Sequence, residues 1–230
     1  KAISEIIAKG KTPIVVGGTG LYVDTLMYHI QYPEIETDLE YRKQLEEMIQ
    51  EQGLEVAYQK AEEIDPQAIE KISNNDQKRI MRILEIYHQT GKTKTQLEAE
   101  SRREEPPYEY LVYAIDMDRE KLYDRINQRV DIMIEQGLIE EVKELLKKYK
   151  DFPTAMQGLG YKEVVAYLNG DMTKEEMIET LKQETRRYAK RQLTWFRKNK
   201  EIQWIDGLAP AEENIQRILE DYGEEKAENG

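Results

Sequence analysis

The sequence predicts an α/β fold in which a few parallel strands alternate with many helices, with a mostly helical domain inserted between two of the strands. Short apolar runs at residues 14–16, 110–117 and 202–205 are typical of strands buried in a sheet. The stretch between the first two runs contains only helical patterns. Because α/β sheets usually hold about five or six strands, and because the first residue is Lys rather than Met, we expect further strands upstream of this chain.

The predicted elements of the first half follow a simple order. A helix is predicted at residues 21–30, and four or five helices are predicted between residues 39 and 100. Within this block, N-caps are expected at Asp65 and at Asn75 or Asp76. These patterns place the insertion domain at residues 33–107 and the core at residues 1–32 and 108–230.

The second half of the core is predicted to be helical around its two strands. Asp118 is expected to cap a helix that ends near Gly137, because the apolar residues between them recur with a helical period. Further helices are expected up to Tyr149, from Thr173 to about Lys200 and from Ala209 to Tyr222. The acidic segment 223–230 is predicted to be a disordered tail.

Composition excludes several classes of function. The chain has 230 residues and no cysteine, which rules out disulfides, Cys-ligated zinc, iron–sulfur clusters and thiol nucleophiles. With only His29 and His88, a cage of histidine ligands is also excluded. A net charge of −12 is not typical of a general nucleic-acid-binding protein. No apolar run approaches the roughly 18 residues of a membrane span, so we expect a soluble, cytoplasmic protein.

The first candidate site is the Gly17-Gly18-Thr19-Gly20 turn between a predicted strand and a predicted helix. Glycines let a backbone approach a ligand closely, and helix N-terminal amides together with the Thr19 hydroxyl could bind phosphate oxygens. An ordinary tight turn is equally compatible with the pattern. Two Gly-Lys-Thr tripeptides, at residues 10–12 and 91–93, lack the first glycine and the preceding strand of a Walker A loop, so we interpret neither as a nucleotide site.

Two further candidates are pairs of basic residues one helical turn apart. Lys78 and Arg82, with Arg79 between them, lie on the flank of a helix in an otherwise acidic block and could hold a phosphodiester. Arg125 and Arg129 share one face of another helix, and two guanidinium groups can clamp a pyrophosphate. Salt bridges to neighbouring acids are the alternative interpretation of both pairs.

The strongest candidate is the segment 182–200, where eight basic residues stand against one acid. The basic residues are Lys182, Arg186, Arg187, Lys190, Arg191, Arg197, Lys198 and Lys200. A solvated helix face normally mixes charges of both signs, so this net charge of +7 favours a polyanion-binding surface. Tyr188, Trp195 and Phe196 could stack on bases or pack in the core, and we expect two of the three to be core residues. RNA is favoured over DNA because no compact groove-reading module is evident.

The basic segment changes the meaning of the net charge. Without it, the other 211 residues carry a charge of −19. An acidic body repels RNA everywhere except where the basic helix faces it, so the asymmetry could orient docking as well as strengthen it.

Five motifs, taken in order, resemble the tRNA dimethylallyltransferases, also called tRNA isopentenyltransferases. They are IVVGGTGLY at residues 14–22, NDQKRIMRILE at 75–85, LYDRINQRVDIMIEQG at 122–137, QGLGYKE at 157–163 and RRYAKRQLTWFR at 186–197. Each motif alone is weak, but the ordered set is specific and extends the resemblance to about residue 206. The absence of the Cys/His finger of some eukaryotic members favours the bacterial type.

The resemblance implies a P-loop-type, nucleotide-binding α/β core with a helical insertion domain. It implies that a dimethylallyl group moves from dimethylallyl diphosphate to N6 of adenosine 37, just 3′ of the tRNA anticodon, with release of pyrophosphate and assistance from Mg²⁺. The partners would be dimethylallyl diphosphate and the tRNA anticodon stem-loop, for a monomeric enzyme. An adenine N6 inside a stacked loop is out of reach, so the base must be flipped into a channel.

The resemblance also assigns residue roles. Catalytic roles fall on Thr19 and Arg125, and the substrate diphosphate would be faced by Gly17, Gly18, Thr19, Arg125 and Arg129. The expected tRNA contacts are Thr19, Arg42, Lys78, Arg79, Ile80, Met81, Arg82, Gln157, Arg186, Arg187, Lys190, Arg191, Trp195 and Arg197. No residue of this chain is expected to ligate a metal, because the Mg²⁺ ligands would lie mostly upstream.

The chain departs from the family in one respect. The family's phosphate-binding loop and the aspartate proposed as general base precede IVVGGTGLY, and nothing in this sequence replaces them. We therefore expect these 230 residues alone to be inactive. Two alternatives remain: a non-catalytic RNA-binding helical module, or a relative of the P-loop kinases acting on a small molecule, which would have no use for the basic helix.

Overall fold

A computed structural model describes residues 1–31, 38–102, 105–149 and 155–228 of the chain. The chain divides into two compact units, Lys1–Tyr110 and Leu111–Gly230. The insertion domain is expected to begin at residue 33. Residues 32 and 33, on either side of this boundary, lie outside the described residues. The assignment of residues 1–32 to the same domain as residues 108–230 stays a prediction.

The described part of the first unit contains seven helices. They are α1 (Ala2–Ala8), α2 (Gly20–Met27), α3 (Leu39–Gln52), α4 (Leu54–Ile64), α5 (Pro66–Ile69), α6 (Gln77–Thr90) and α7 (Lys94–Glu100). Asp65 accepts the N–H of Ala68 at the start of α5, and Asp76 accepts the N–H of Arg79 at the start of α6. Both carboxylates satisfy amides that have no partner within the helix, so the predicted N-caps are confirmed.

Helices α3 to α6 enclose the core of the first unit. Its buried residues are Leu45, Ala57, Ala61, Ala68, Ile69, Ile80, Met81, Ile83 and Leu84. On α6 the apolar residues Ile80, Ile83 and Leu84 are buried, whereas Tyr87 is exposed. The core therefore fixes the rotation of α6 and determines which of its polar residues face outwards.

The predicted strand at Ile14–Val16 is wrong. These residues have no regular secondary structure, and the exposed fractions of Ile14, Val15 and Val16 are 83%, 60% and 91%. A strand in a parallel sheet needs neighbours for its N–H and C=O groups and for its side chains. None of the described residues pairs with this run, so its apolar sequence alone does not make it a strand.

The described part of the second unit contains two strands, five α-helices and one 3₁₀ helix. They are β1 (Tyr113–Asp116), α8 (Arg119–Glu135), α9 (Leu138–Lys148), the 3₁₀ helix Ala155–Gln157, α10 (Tyr161–Asn169), α11 (Lys174–Phe196), β2 (Gln203–Asp206) and α12 (Ala211–Glu228). The strands pair in parallel with Asp116 opposite Asp206, which confirms two predicted strands. A Cβ at Gly207, just after β2, would lie 2.6 Å from Cγ2 of Ile115. The close approach of the chain to β1 at this position therefore requires glycine.

The helix ends of the second unit agree with the local sequence. The carboxylate of Asp118 accepts two amides at the start of α8, which confirms this N-cap. The last helix does not end at Tyr222 but continues to Glu228. Glu, Lys and Ala have high helix propensity, so the acidic segment from residue 223 joins α12, and residues 229 and 230 lie outside the described residues.

A second core holds α8, α9, α10 and α11 together. Its buried residues are Val130, Leu138, Ile139, Val142, Val164, Met177 and Leu181. Helix α8 packs directly against α11, so one helix pair carries both the Arg125/Arg129 pair and most of the basic segment. Among the helices that the structure describes, none is long and apolar enough to cross a membrane.

Candidate nucleic-acid and diphosphate sites

The Gly17–Gly20 turn leads directly into α2. Thr19 is the N-cap of this helix, and its side chain makes no capping hydrogen bond within the described residues. A Cβ at Gly17 would meet no atom within 4 Å, so packing does not require this glycine. The first amides of a helix lack partners within the helix and attract anions. Gly17 and Thr19 are exposed, so this part of the turn is chemically suited to a phosphate oxygen.

Arg42 of α3 and Arg82 of α6 converge on the carboxylate of Glu85. Nη1 of Arg42 lies 3.5 Å from Oε1 of Glu85, and Nη1 of Arg82 lies 3.5 Å from Oε2. Glu85 is only 3% exposed, whereas the two arginine side chains are 41% and 43% exposed. Lys78 is also exposed, one turn before Arg82. We call Arg42, Lys78 and Arg82 the α3–α6 surface.

The other residues predicted in this segment occupy two environments. Arg79 is exposed and pairs with Asp76 at 3.3 Å, so ion pairing with a neighbouring acid occurs for this residue. Ile80 and Met81 are buried in the first core. Their side chains therefore do not reach the surface, and only the basic members of the segment lie where a phosphodiester could approach.

A stacked aromatic pair fixes the start of α3. The rings of Tyr41 and His88 are parallel, with centroids 3.7 Å apart. Asp38 accepts the N–H of Tyr41 and lies 3.6 Å from Nε2 of His88. Burial, and secondarily the charge of Glu85, raises the pKa of Tyr41. These contacts anchor the helical turn from which Arg42 projects.

Arg125 and Arg129 occupy the exposed face of α8, one turn apart. Within the described residues neither guanidinium forms an ion pair, and the nearest recorded contact is 4.0 Å from Nη1 of Arg125 to Sδ of Met117. Asp131 pairs instead with Lys182, at 2.6 Å. The alternative of salt bridges to neighbouring acids is therefore not realised in the described part of the chain, and both groups are accessible to an anion.

The inner side of α11 is tied to α8 by polar contacts. Lys182 pairs with Asp131, and Arg186 donates to Oδ1 of Asn127 at 2.6 Å and to Glu179 at 3.1 Å. Both basic side chains are largely covered by protein. Lys182 and Arg186 therefore tie α11 to α8 through Asp131 and Asn127.

The outer side of α11 is exposed. Arg187 donates to Glu184 at 2.5 Å, and this hydrogen bond is the largest cause that lowers the pKa of Glu184. Lys190 is exposed, and the guanidinium of Arg191 lies 5.7 Å from the ring centre of Tyr188. We call Arg187, Lys190 and Arg191 the α11 surface.

The aromatic residues of the basic segment are more exposed than predicted. Tyr188 and Trp195 are each 39% exposed, so the expectation that two of the three aromatics are core residues is wrong. The side chain of Arg197 lies 3.1 Å from Asp116 and over the ring of Trp204. Arg197 therefore joins the end of α11 to both strands, while Trp195 presents part of its ring to solvent.

Gln157 ends the 3₁₀ helix and is exposed. The loop after it depends on Gly160, whose φ of +99° favours glycine. Its N–H donates to Oε2 of Glu163 at 2.8 Å. Glu163 is buried and also lies 3.3 Å from Nζ of Lys162. A buried carboxylate thus holds the shape of the loop that follows Gln157.

The described residues contain no group of three or more His, Cys, Asp or Glu side chains that could hold a metal ion. They therefore offer no ligand cluster of their own for a protein-bound Mg²⁺. The predicted site residues are divided between the two compact units. The turn at residues 17–20 and the α3–α6 surface belong to the first unit, and the Arg125/Arg129 pair, Gln157 and the α11 surface belong to the second.

Glu85 is the residue whose importance sequence reasoning missed. It belongs to one of the family motifs, yet no role follows from the spacing alone. A signal was present in the sequence, because Glu85 interrupts a run of apolar residues, with Leu84 before it and Ile86 after it. A carboxylate at such a core position requires basic or hydrogen-bonding partners, and Arg82 lies three residues away on the same helix.

Comparison with known proteins identifies relatives of the chain. The family model described as IPP transferase matches residues 1–199. A tRNA dimethylallyltransferase of Acetivibrio thermocellus is 50% identical over 207 residues, covering 90% of this chain and 66% of the relative. That of Halothermothrix orenii is 48% identical over 205 residues, covering 89% and 62%. The chain thus spans slightly less than two thirds of the length of these curated relatives.

Solved structures agree with the sequence comparison. The full-length tRNA isopentenylpyrophosphate transferase of Bacillus halodurans is 38% identical, with a TM-score of 0.65, over 99% of this chain and 72% of that chain. A eukaryotic dimethylallyltransferase acting on tRNA is 29% identical, with a TM-score of 0.71, over 97% and 60%. The small parallel sheet among many helices therefore represents the P-loop-type α/β fold of these enzymes, and the chain belongs to the IPP transferase family.

Proposed function

We propose that this chain forms part of a tRNA dimethylallyltransferase, which transfers a dimethylallyl group from dimethylallyl diphosphate to N6 of the adenosine just 3′ of the anticodon. The observation that carries this proposal is the pairing of α8 with α11. Arg125 and Arg129 are exposed on one helix without ion-pair partners in the described residues, and the α11 surface is exposed on the other. One helix pair thus combines groups suited to a diphosphate and to RNA.

The transfer reaction needs both the groups that bind the diphosphate and the groups that bind RNA. The N6 lone pair attacks C1 of the dimethylallyl group, the bond from C1 to the diphosphate oxygen breaks, and N6 loses a proton to the general-base aspartate that the family resemblance places upstream of this chain. Negative charge develops on the leaving pyrophosphate, where the guanidinium groups of Arg125 and Arg129 stabilise it. Thr19, with Gly17 and Gly18, contributes a hydroxyl and accessible amides for phosphate oxygens. Mg²⁺ carried by the diphosphate adds positive charge when it is present.

The tRNA contacts follow from exposure and charge. In the first unit they are Thr19 and the α3–α6 surface with Arg79, whereas the buried Ile80 and Met81 support the helix that presents these residues. In the second unit they are Gln157, the α11 surface, Arg186, Trp195 and Arg197. Of these, Arg186 has a side chain that is only 22% exposed, so its contribution to RNA affinity is the smaller. The monomeric state and the cytoplasmic location belong to the same proposal.

The 230 residues alone do not complete the transfer on this proposal. The sequence contains no G-x-x-x-x-G-K-[ST] loop, which in P-loop proteins supplies amides and a lysine for the phosphates. Binding of RNA and of pyrophosphate is therefore the property to test in this chain, separately from turnover.

The test measures binding of an anticodon stem-loop by fluorescence anisotropy and binding of pyrophosphate by calorimetry. We expect salt-sensitive RNA binding, a preference for adenosine over uridine at the position just 3′ of the anticodon, and loss of pyrophosphate binding in Arg125→Gln. Absence of RNA binding would refute the function. Transfer of a radiolabelled dimethylallyl group by this chain would confirm the function and refute the claim that the chain alone is inactive.

Two alternatives make different predictions in the same assays. A non-catalytic RNA-binding module binds the stem-loop without base preference and without any effect of dimethylallyl diphosphate or Mg²⁺. A P-loop kinase relative is indifferent to loss of Arg187 and Arg191, because a small-molecule substrate does not reach an extended basic helix.

A further inference from the structure

Glu85 is an acid in the core of the first unit, at a position that the apolar stripe of α6 would otherwise fill. Its two carboxylate oxygens face two different helices, with Arg42 of α3 on one side and Arg82 of α6 on the other, each at 3.5 Å. Within the described residues, Oε1 accepts no hydrogen bond. The carboxylate is therefore held by the charges of two guanidinium groups and by packing.

Burial of a carboxylate is costly, and stability alone does not require it. Replacement of a buried ion pair by apolar residues of similar volume is often neutral or stabilising. Leu84 and Ile86 beside it are buried apolar residues, so an apolar side chain would suit the same core. The presence of Glu85 instead has a consequence for the arginines, because one carboxylate brings together two cations that otherwise repel each other.

The two arginines remain able to bind a further anion. A guanidinium has five N–H donors in a fixed plane, and contact with Glu85 involves one terminal nitrogen of each group. About two fifths of each side chain is exposed. Arg42 also lies 3.6 Å from Glu46, which is exposed. Glu46 is thus an acid on the same surface that lacks the burial of Glu85 and provides a matched control.

We propose that Glu85 is a positioning residue that holds Arg42 and Arg82 so that both bind the same phosphate group of the RNA backbone. Glu85 itself does not touch the RNA. The inference deepens the proposed function, on which its RNA-binding consequence rests. It assigns to the first unit a preformed phosphate site and to the motif NDQKRIMRILE a reason for its final acid.

The sign of the effect separates positioning from simple electrostatics. Removal of an acid beside an RNA-binding surface ordinarily strengthens binding, because it removes repulsion of the phosphates. If Glu85 positions the two arginines, its removal weakens binding instead. The conservative Glu85→Gln keeps the volume of the side chain, removes the charge and replaces one acceptor oxygen by an NH₂ donor.

The experiment compares Glu85→Gln with Glu46→Gln in the full chain, using anisotropy of a labelled tRNA anticodon stem-loop at several salt concentrations. We expect Glu85→Gln to lower the affinity about tenfold, as for loss of one charge-assisted contact, and to reduce the salt slope by about 1. Glu46→Gln should bind equally or more tightly. In an Arg42→Gln/Arg82→Gln background, Glu85→Gln should have no further effect. Equal or tighter binding by Glu85→Gln would overturn the proposal.

A second measurement does not depend on RNA. The ¹⁵Nε–H signals of Arg42 and Arg82 in the free protein should report restricted side chains in the wild type and averaged ones in Glu85→Gln. Unchanged signals would overturn the positioning role. If the wild type bound no stem-loop while the signals behaved as expected, the proposed function would fail and the positioning would stand. Should Glu85→Gln not fold, Glu85→Asp, whose shorter carboxylate cannot reach both groups, is expected to change affinity and signals in the same directions.

Discussion

The two basic surfaces of this acidic chain differ in what holds their cations. On the α3–α6 surface, Arg42 and Arg82 share the carboxylate of Glu85, which is buried. On the α11 surface, Arg187 pairs with Glu184, an acid on its own helix, and Lys190 projects into solvent. The first arrangement brings guanidinium groups from two helices onto one buried carboxylate, whereas in the second the cations lie along one helix and Arg187 contacts an acid of that same helix.

This difference separates two ways of binding a polyanion. A fixed pair loses little side-chain entropy when it binds, so it contributes geometry and discriminates among orientations. A row of mobile cations contributes long-range attraction, which weakens steeply with salt. On the proposed function, the α3–α6 surface would align RNA and the α11 surface would attract it, so substitutions should affect the two surfaces in different ways.

The largest expected effect is loss of charge from the α11 surface. Arg187→Gln/Arg191→Gln removes two phosphate contacts from one face, so affinity for the anticodon stem-loop should fall at least about tenfold at low salt, and the slope of log K against log salt should fall by about 1.4. Fluorescence anisotropy between 50 and about 300 mM salt measures both quantities.

The matched control for this double substitution lies on α9 of the same unit. Lys143 and Lys147 are exposed and have the same spacing of four residues as Arg187 and Arg191. Lys143→Gln/Lys147→Gln changes the net charge by the same amount and should leave affinity within about twofold, because only long-range attraction is altered. Equal losses in the two double variants would mean that RNA responds to net charge alone.

The next effect concerns the shape of the cation. Arg82→Lys keeps the charge but replaces a planar fork by a point charge, which cannot contact Glu85 and a phosphate in the same fixed way. We expect a loss of about fivefold in stem-loop affinity, the range of one neutral hydrogen bond. Arg191→Lys on the α11 surface should bind within about twofold of the wild type, because a mobile point charge suffices there. The ratio of these two losses measures how differently the surfaces are organised.

The sequence predicts the local structure well wherever the controlling groups are neighbours in the chain. Asp65, Asp76 and Asp118 cap helices as expected, because a cap needs only a side chain and the amides two or three residues later. The strand at residues 14–16 fails for the opposite reason. Its apolar residues favour burial, but a strand forms only when it pairs with a neighbouring strand, and the sequence pattern does not identify that neighbour.

The candidate site shows the same division between local and distant control. One-turn spacing correctly places Arg125 with Arg129 on one exposed face of α8. The pairing of Arg186 with Asn127, 59 residues away, could not be read from spacing. Arg42 likewise lies far from Glu85 in the chain and meets it only because α3 packs against α6. Partners across helices depend on packing angles, which charge patterns do not specify.

A smaller effect is expected from removing an acid beside the α11 surface, and its direction, a gain or a loss of RNA affinity, is the point of the test. Glu184→Gln removes the acid that accepts from Arg187, so the guanidinium gains freedom and repulsion of RNA decreases. Stem-loop affinity should rise by up to about threefold at low salt and should be unchanged at high salt. The same substitution at Glu85 is expected to weaken binding. A loss of affinity in Glu184→Gln would mean that Glu184 also positions its arginine.

The smallest expected effect is on the pH dependence of the free energy of unfolding. The hydrogen bond from Arg187, with nearby positive charges, lowers the pKa of Glu184 below its ordinary value of 4.5. A carboxyl whose pKa is lowered by folding contributes stability above its unfolded pKa and loses it as pH falls through the folded pKa. Wild type should therefore be slightly more stable than Glu184→Gln at pH 6, and the two should converge as the pH falls below about 4.

Thermal unfolding of both proteins, at low salt and at about 1 M salt, measures this difference. A pair with an exposed partner contributes less than about 1 kcal/mol and is screened by ions. Because Arg187 is 59% exposed and Glu184 is 21% exposed, we expect high salt to remove most of the difference at pH 6. A stability difference that persisted in high salt would mean that Glu184 is held as firmly as the buried Glu85, and the distinction between an adjustable and a preformed surface would no longer hold.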